Sequence, residues 1–138
     1  MDAQYVQAGQ VRWGYIHMAF LGPESQWAAE ASECAAEQGR FWEYHDLLYA
    51  RQSGENQGAF SKDNLKRFAE EIGLDTKAFN ACLDAGKYAA QVQADTAFAK
   101  ALGISGTPAF LVNGQPVVGA QPFEAFRSLF EAALEKGP

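Results

Sequence analysis

Cysteine and histidine are both scarce in this 138-residue sequence, with two of each. Cys34 and Cys82 lie 48 positions apart, so they form neither a C-x-x-C redox pair nor a local metal-ligand cluster, and any cysteine chemistry has to be tertiary. His17 and His45 have no Cys, Ser or acid at a diagnostic spacing, which leaves no sign of a nucleophile with its base. Neither a metal nor another cofactor is expected. Basic residues are also few: 11 Lys and Arg against 17 Asp and Glu give a formal charge of -6. That balance opposes phosphate backbones and anionic lipid, so no nucleic-acid partner is expected. No apolar run approaches the roughly 20 residues of a membrane helix. The opening MDAQYVQAGQVRW has no basic flank leading into an apolar core, so no secretory signal is read there.

What is present is a core-forming chain. At 48% hydrophobic and 13% aromatic, its composition is that of one folded domain over residues 1–138. Residues 2–8 have helical character up to Gly9, a natural left-handed cap. Val11, Trp13, Tyr15 and Ile16 supply a partly alternating β-rich pattern that predicts a strand at about 11–18. Pro23 then opens a helix that closes at Gly39, and Phe41, Tyr44, Leu47 and Leu48 give a second helix its three- and four-residue spacing. A polar glycine-bearing loop follows. Ser61 and Asp63 introduce a helix with Leu65, Phe68, Ala69 and Ile72 on one face, Asp75 caps another, and a longer one runs up to Gly103. The end of the chain changes character. PAFLVNGQPVVGA has two apolar runs joined through Asn113-Gly114, the signal of a tight hairpin. Pro122 then starts a helix with Phe123, Phe126, Leu129, Phe130 and Leu134 on one face.

The stretch GISGTPAFLVNG, residues 103–114, sets a Thr-Pro step directly before a buried strand. On the residues alone, an ordinary trans proline at a strand start is the commoner state. Together with GPESQWAAEASECAAEQGRFWEYHDLLYA, LDTKAFNACLDAGKY, the continuation VVGAQPFEAF and the lead-in YVQAGQVRWGYIHMAF, this stretch resembles the DsbA-like branch of the thioredoxin superfamily over most of residues 5–126. The resemblance implies an α/β thioredoxin-like fold with a large helical insertion at about 23–102. It also implies a cis Thr107-Pro108 bond whose preceding residue hydrogen-bonds an extended substrate peptide, making Gly106, Thr107 and Pro108 candidate peptide-binding residues. Cysteines at matching positions in similar sequences imply a structural disulfide between Cys34 and Cys82, and with it an exported or periplasmic setting. The residues by themselves allow two separate buried thiols instead.

One departure matters for activity. Members of that branch carry C-x-x-C at the start of a helix, after a strand, and here the sequence begins near the end of the matching helix. Without the dithiol, exchange by the family's mechanism has no nucleophile. The chain is therefore expected to be catalytically inactive in isolation, with binding of an extended peptide or protein thiol substrate as its remaining capability. The lost strand is an inner one, between 11–18 and 109–112, so two sheet edges are expected to pair across a homodimer or to repack. Two alternatives stand beside this reading. The chain is a fragment of a full-length exported thiol-disulfide oxidoreductase, with Met1 an artificial start, or a thioredoxin-fold relative that binds glutathione or another small molecule. Glu24, Glu30, Glu33 and Glu37 are expected to be solvated helix charges. Trp13, Trp27 and Trp42 are expected in the core, and His45 on a helix face, hydrogen-bonded within the insertion. His17 is expected on the strand next to the gap.

Overall fold

The computed structural model describes residues 2–137 and divides into two compact units, one of His17–Ala99 and one of the flanking segments, through Ile16 and from Lys100. The first is helical: α1 (Pro23–Ala36), α2 (Phe41–Ala50), α3 (Lys62–Glu71), α4 (Thr76–Asp84) and α5 (Ala89–Ala101), the last running two residues past the boundary. Local chemistry sets the starts. Pro23 occupies the first turn of α1, where a missing N–H costs nothing. The Ser61 hydroxyl accepts from Asn64 N–H at 3.4 Å, and the Asp75 carboxylate accepts from Ala78 N–H at 3.0 Å.

The core of this unit joins Ala31, Cys34 and Ala35 of α1 to Tyr44, Leu65, Ala69, Leu74, Phe79, Cys82 and Leu83. The small side chains at 31 and 35 let the neighbouring helices approach, and Cys34 and Cys82 are joined in a disulfide between α1 and α4. Closing a loop of this length stabilises by about 4 kcal/mol in the chain-entropy model. Tyr44 is fully buried, and its hydroxyl donates to the Leu65 carbonyl at 2.8 Å. Burial pushes its phenol far above the ordinary value.

Of the four glutamates expected as solvated charges, Glu37 is exposed and Glu33 half-buried, but two depart from the expectation. Glu24 and Glu30 are buried. The two oxygens of Glu24 accept from the backbone N–H groups of Gly58 at 2.7 Å and Phe60 at 2.9 Å. Asn56 completes the clasp, accepting from Glu24 N–H at 3.2 Å and donating to the Leu21 carbonyl. A Cβ at position 22 would run into the Asn56 side chain, which accounts for Gly22 and its φ of 101°. Glu30 accepts from the Gln26 amide at 2.9 Å, Glu33 pairs with His17, and Glu37 with Lys87 and Tyr88.

The second unit holds a short π-helical turn, Asp2–Val6, the hairpin of β1 (Ala109–Val112) and β2 (Gln115–Val118), and α6 (Phe123–Glu135). Asn113 and Gly114 both have positive φ, 48° and 84°, as a two-residue type I′ connection requires. Tyr5, Phe126 and Phe130 form its core, with Val11, Phe110, Val112, Val117 and Phe123 packed around them. The Phe110 and Phe126 rings meet edge to face at 4.8 Å. Leu134, expected on the same stripe, is exposed near the helix end.

Residues 11–20 correct another expectation, because they form no strand. Strand pattern alone does not make a ladder; a partner backbone must lie alongside, and the sheet has two strands among the described residues. Instead the amides of His17 and Ala19 donate to side chains of α5, Asp95 Oδ2 at 3.2 Å and Thr96 Oγ1 at 3.0 Å. The tryptophans also depart from a uniform core placement. Trp27 packs on the helical core, whereas Trp13 and Trp42 are exposed.

Two consequences are measurable by urea unfolding. Glu24→Ala leaves two loop amides without their acceptor and is expected to lower stability by about 1–3 kcal/mol. Tyr44 keeps its proton in the fold but releases it near pH 10 when unfolded, so its stabilisation is complete below that value and declines as pH rises above it. Tyr44→Phe is expected to cost about 1 kcal/mol at neutral pH and to make that alkaline decline shallower.

Candidate functional site

The Gly106-Thr107-Pro108 loop leads into β1, and its Thr107-Pro108 peptide bond is cis. Gly106 is half-buried, while Thr107 and Pro108 are exposed. Register decides what the adjoining strand offers. Ala109 pairs with Val118, Phe110 with Val117, Leu111 with Pro116 and Val112 with Gln115. A two-residue turn makes Val112 and Gln115 the first hydrogen-bonded pair, and the pattern alternates from there, so Phe110 faces Val117 and the Pro108 carbonyl accepts from Gly119 N–H at 2.8 Å. The N–H and C=O of Leu111 and Ala109 therefore point away from β2. No strand of the described residues pairs with that side of β1.

The two edges of the hairpin differ. On β2 the outward position opposite Leu111 is Pro116, which has no N–H to offer, so that edge is blunted. On β1 both outward residues keep their donors. The faces differ as well. Phe110, Val112 and Val117 turn toward the core of the unit, whereas Ala109, Leu111, Pro116 and Val118 share the other face, with Leu111 41% and Val118 71% exposed. Trp13, itself exposed, lies 6.1 Å from the Phe110 ring between centroids. The arrangement is an open backbone edge with an apolar surface beside it.

The same unit has a polar cleft of about 390 Å³ lined by Gln4, Tyr5, Gln10, Arg127, Glu131 and Leu134. Its titratable groups are tied to one another. Arg127 Nε donates to Glu131 Oε1 at 2.9 Å and the Tyr5 hydroxyl donates to the same oxygen at 3.2 Å. The Arg127 hydrogen bond is the main cause that holds the Glu131 carboxyl below its usual range, and desolvation followed by the Glu131 bond pushes the Tyr5 phenol up. This cleft has no activated nucleophile.

The remaining sequence candidates lie in the helical unit. Cys34 and Cys82 are bonded to each other, and the described residues contain no free cysteine. His45 Nδ1 pairs with Asp46 Oδ1 at 3.0 Å on α2. His17 is buried and its Nε2 lies 2.7 Å from Glu33 Oε1. That acid partner escaped the sequence reading because sixteen residues separate the two and no local pattern links them. No group of three or more His, Cys, Asp or Glu among the described residues is placed to hold a metal ion.

Comparison with known proteins adds a lineage to this geometry. A family model described as thioredoxin matches residues 1–132. The chain is 37% identical over 122 residues to the Na(+)/H(+) antiporter NhaA 3 of Salinispora tropica, a match that covers 88% of this chain and 18% of the antiporter. It is 25% identical to the probable disulfide bond formation protein D of Bacillus cereus, over 99% of this chain and 64% of that protein. The crystal structure of oxidised BdbD from Bacillus subtilis superposes with a TM-score of 0.86 at 23% identity, covering 97% of this chain and 74% of the other. The chain thus spans about a fifth of the antiporter's length. Its fold is the thioredoxin-like α/β fold with the helical insertion of DsbA-like proteins.

Proposed function

The chain belongs to the thioredoxin family, and from that membership we propose that the Gly106-Thr107-Pro108 loop and the outer edge of β1 dock an extended peptide segment, without thiol-disulfide turnover by this chain alone. The observation that carries this reading is the hairpin register, which turns the backbone groups of Ala109 and Leu111 outward beside exposed Thr107. In strand addition the main-chain hydrogen bonds supply affinity and alternate side chains supply selectivity. Leu111 and Val118 on the exposed face favour a segment with apolar residues at every second position. A second copy of the chain meets the same requirement, so strand pairing in a homodimer is the association expected when no peptide is supplied. The lack of turnover follows from the cysteine inventory: the sequence has two, and they are bonded to each other.

A second reading is favoured by the similarity to the Bacillus cereus protein, whose name assigns it to disulfide bond formation. In that reading the chain is the docking part of a thiol-disulfide oxidoreductase, and a C-x-x-C dithiol outside these 138 residues performs the exchange.

Calorimetric titration with a short peptide of alternating valine and threonine tests the docking edge. Leu111→Pro deletes one outward N–H at a position that does not bond β2, and is expected to weaken binding about tenfold, the equivalent of about 1.4 kcal/mol. The amide signals of Val112 and Gln115 report that the hairpin persists in the variant. Unchanged affinity with an intact hairpin contradicts the proposed edge. By light scattering, the same substitution is expected to weaken any dimer. In an insulin-reduction assay the chain is expected to match its Cys34→Ala, Cys82→Ala variant; a rate well above that variant refutes the inactive reading.

A further inference from the structure

We propose that the Cys34–Cys82 disulfide is a modification site opened by a low-molecular-weight thiol, which enters a cleft beside α4 and bonds to Cys82. The disulfide closes the helical core, and both cysteines belong to its buried cluster, but they differ in how close they come to the surface. Cys34 is 1% exposed and lies among Ala31, Ala35 and Tyr44 of the core cluster. Cys82 is 6% exposed and lines an open cleft of about 400 Å³. Around the cysteine the cleft is lined by the methyl side chains of Ala78 and Ala81 on α4 and of Ala85 just after it, which leave room for an incoming group. Glu37 and Lys87 form its charged rim and are paired with each other. The cleft therefore combines one cysteine of the disulfide, space of small-molecule size and a paired ammonium at the entrance.

The exchange is defined by which sulfur is attacked. A thiolate such as that of glutathione attacks Cys82 Sγ, and its sulfur electron pair forms the new S–S bond. The Cys34–Cys82 bond breaks and its electron pair leaves on Cys34 Sγ. Apolar surroundings disfavour a thiolate there, so Cys34 takes up from solvent the proton that the small thiol gave up on ionising and becomes a neutral thiol. The products are a mixed disulfide at Cys82 and a thiol at Cys34. Regeneration is the reverse: the Cys34 thiol loses its proton, attacks Cys82 Sγ and expels the small thiol. In the opened state α4 is no longer tied covalently to α1, so the helical unit acquires a thiol-dependent stability. At the entrance Lys87 offsets the Glu37 carboxylate, which would otherwise repel an anionic thiol. This inference is independent of the docking edge on β1.

Incubation of the folded chain with reduced glutathione, acid quenching, alkylation and peptide mapping by mass spectrometry test it directly. The mixed disulfide is expected at Cys82 in about tenfold excess over Cys34, since access selects the sulfur attacked. Lys87→Glu leaves both sulfurs in place and is expected to slow the reaction severalfold, with the slowing reduced at high salt. A urea series supplies the reference for reaction through unfolding. A mixed disulfide at Cys34, an even distribution, a rate that tracks global unfolding, or no reaction where the unfolded chain reacts would each overturn the proposal.

Discussion

The register of one hairpin fixes which of its backbone groups face outward. Asn113 and Gly114 are the two residues whose backbone adopts positive φ without a large penalty, and they close a turn of defined length. That length makes Val112 and Gln115 a hydrogen-bonded pair and sends the backbone groups of Leu111 and Ala109 the other way. A slip of one residue would exchange every inward and outward group and move Phe110 and Val112 off the core of their unit. The core and the outward edge are consequences of the same constraint. Pro116 reinforces it, because its missing N–H is tolerated at an outward position and not at a bonded one.

The helical unit rests on different physics. Its core sets Ala31, Ala35 and Ala69 among Tyr44, Leu65, Phe79 and Leu83, and long-range clasps hold the helices around it. The disulfide joins α1 to α4, the Glu24 carboxylate ties the start of α1 to the loop before α3, and His17 and Ala19 are held by side chains of α1 and α5. The hydrogen-bonded clasps also satisfy polar groups that burial would otherwise leave unpaired.

What was legible in the sequence was mostly local. Ser61, Asp75 and Pro23 mark helix starts through hydrogen bonds or backbone restraints within a few residues, and Asn113-Gly114 marks the hairpin for the same reason. The thioredoxin-like fold was legible through resemblance. Features that need a distant partner were not. Residues 11–18 have a strand's composition, but nothing in their own pattern states whether a neighbouring backbone is present. Glu24 and Glu30 look like surface charges until the loop amides and Gln26 that receive them are placed. Trp13 and Trp42 look like core because of their size, and their exposure depends on what surrounds them. At the candidate site, sequence pointed to Gly106, Thr107 and Pro108, whereas the outward backbone of Ala109 and Leu111 emerged only with the register.

This thioredoxin-family chain combines a bonded cysteine pair in its helical unit with an open strand edge on its hairpin, and the proposed docking rests on that edge. The docking edge depends on the amides of Ala109 and Leu111. Residue-resolved hydrogen exchange on the free, dilute chain should show Ala109 and Leu111 exchanging much faster than Val112 and Phe110. Saturating extended peptide should slow the first pair while leaving the second unchanged. Strong protection of Ala109 and Leu111 in the free monomer, or no change in them on peptide binding, would contradict the account.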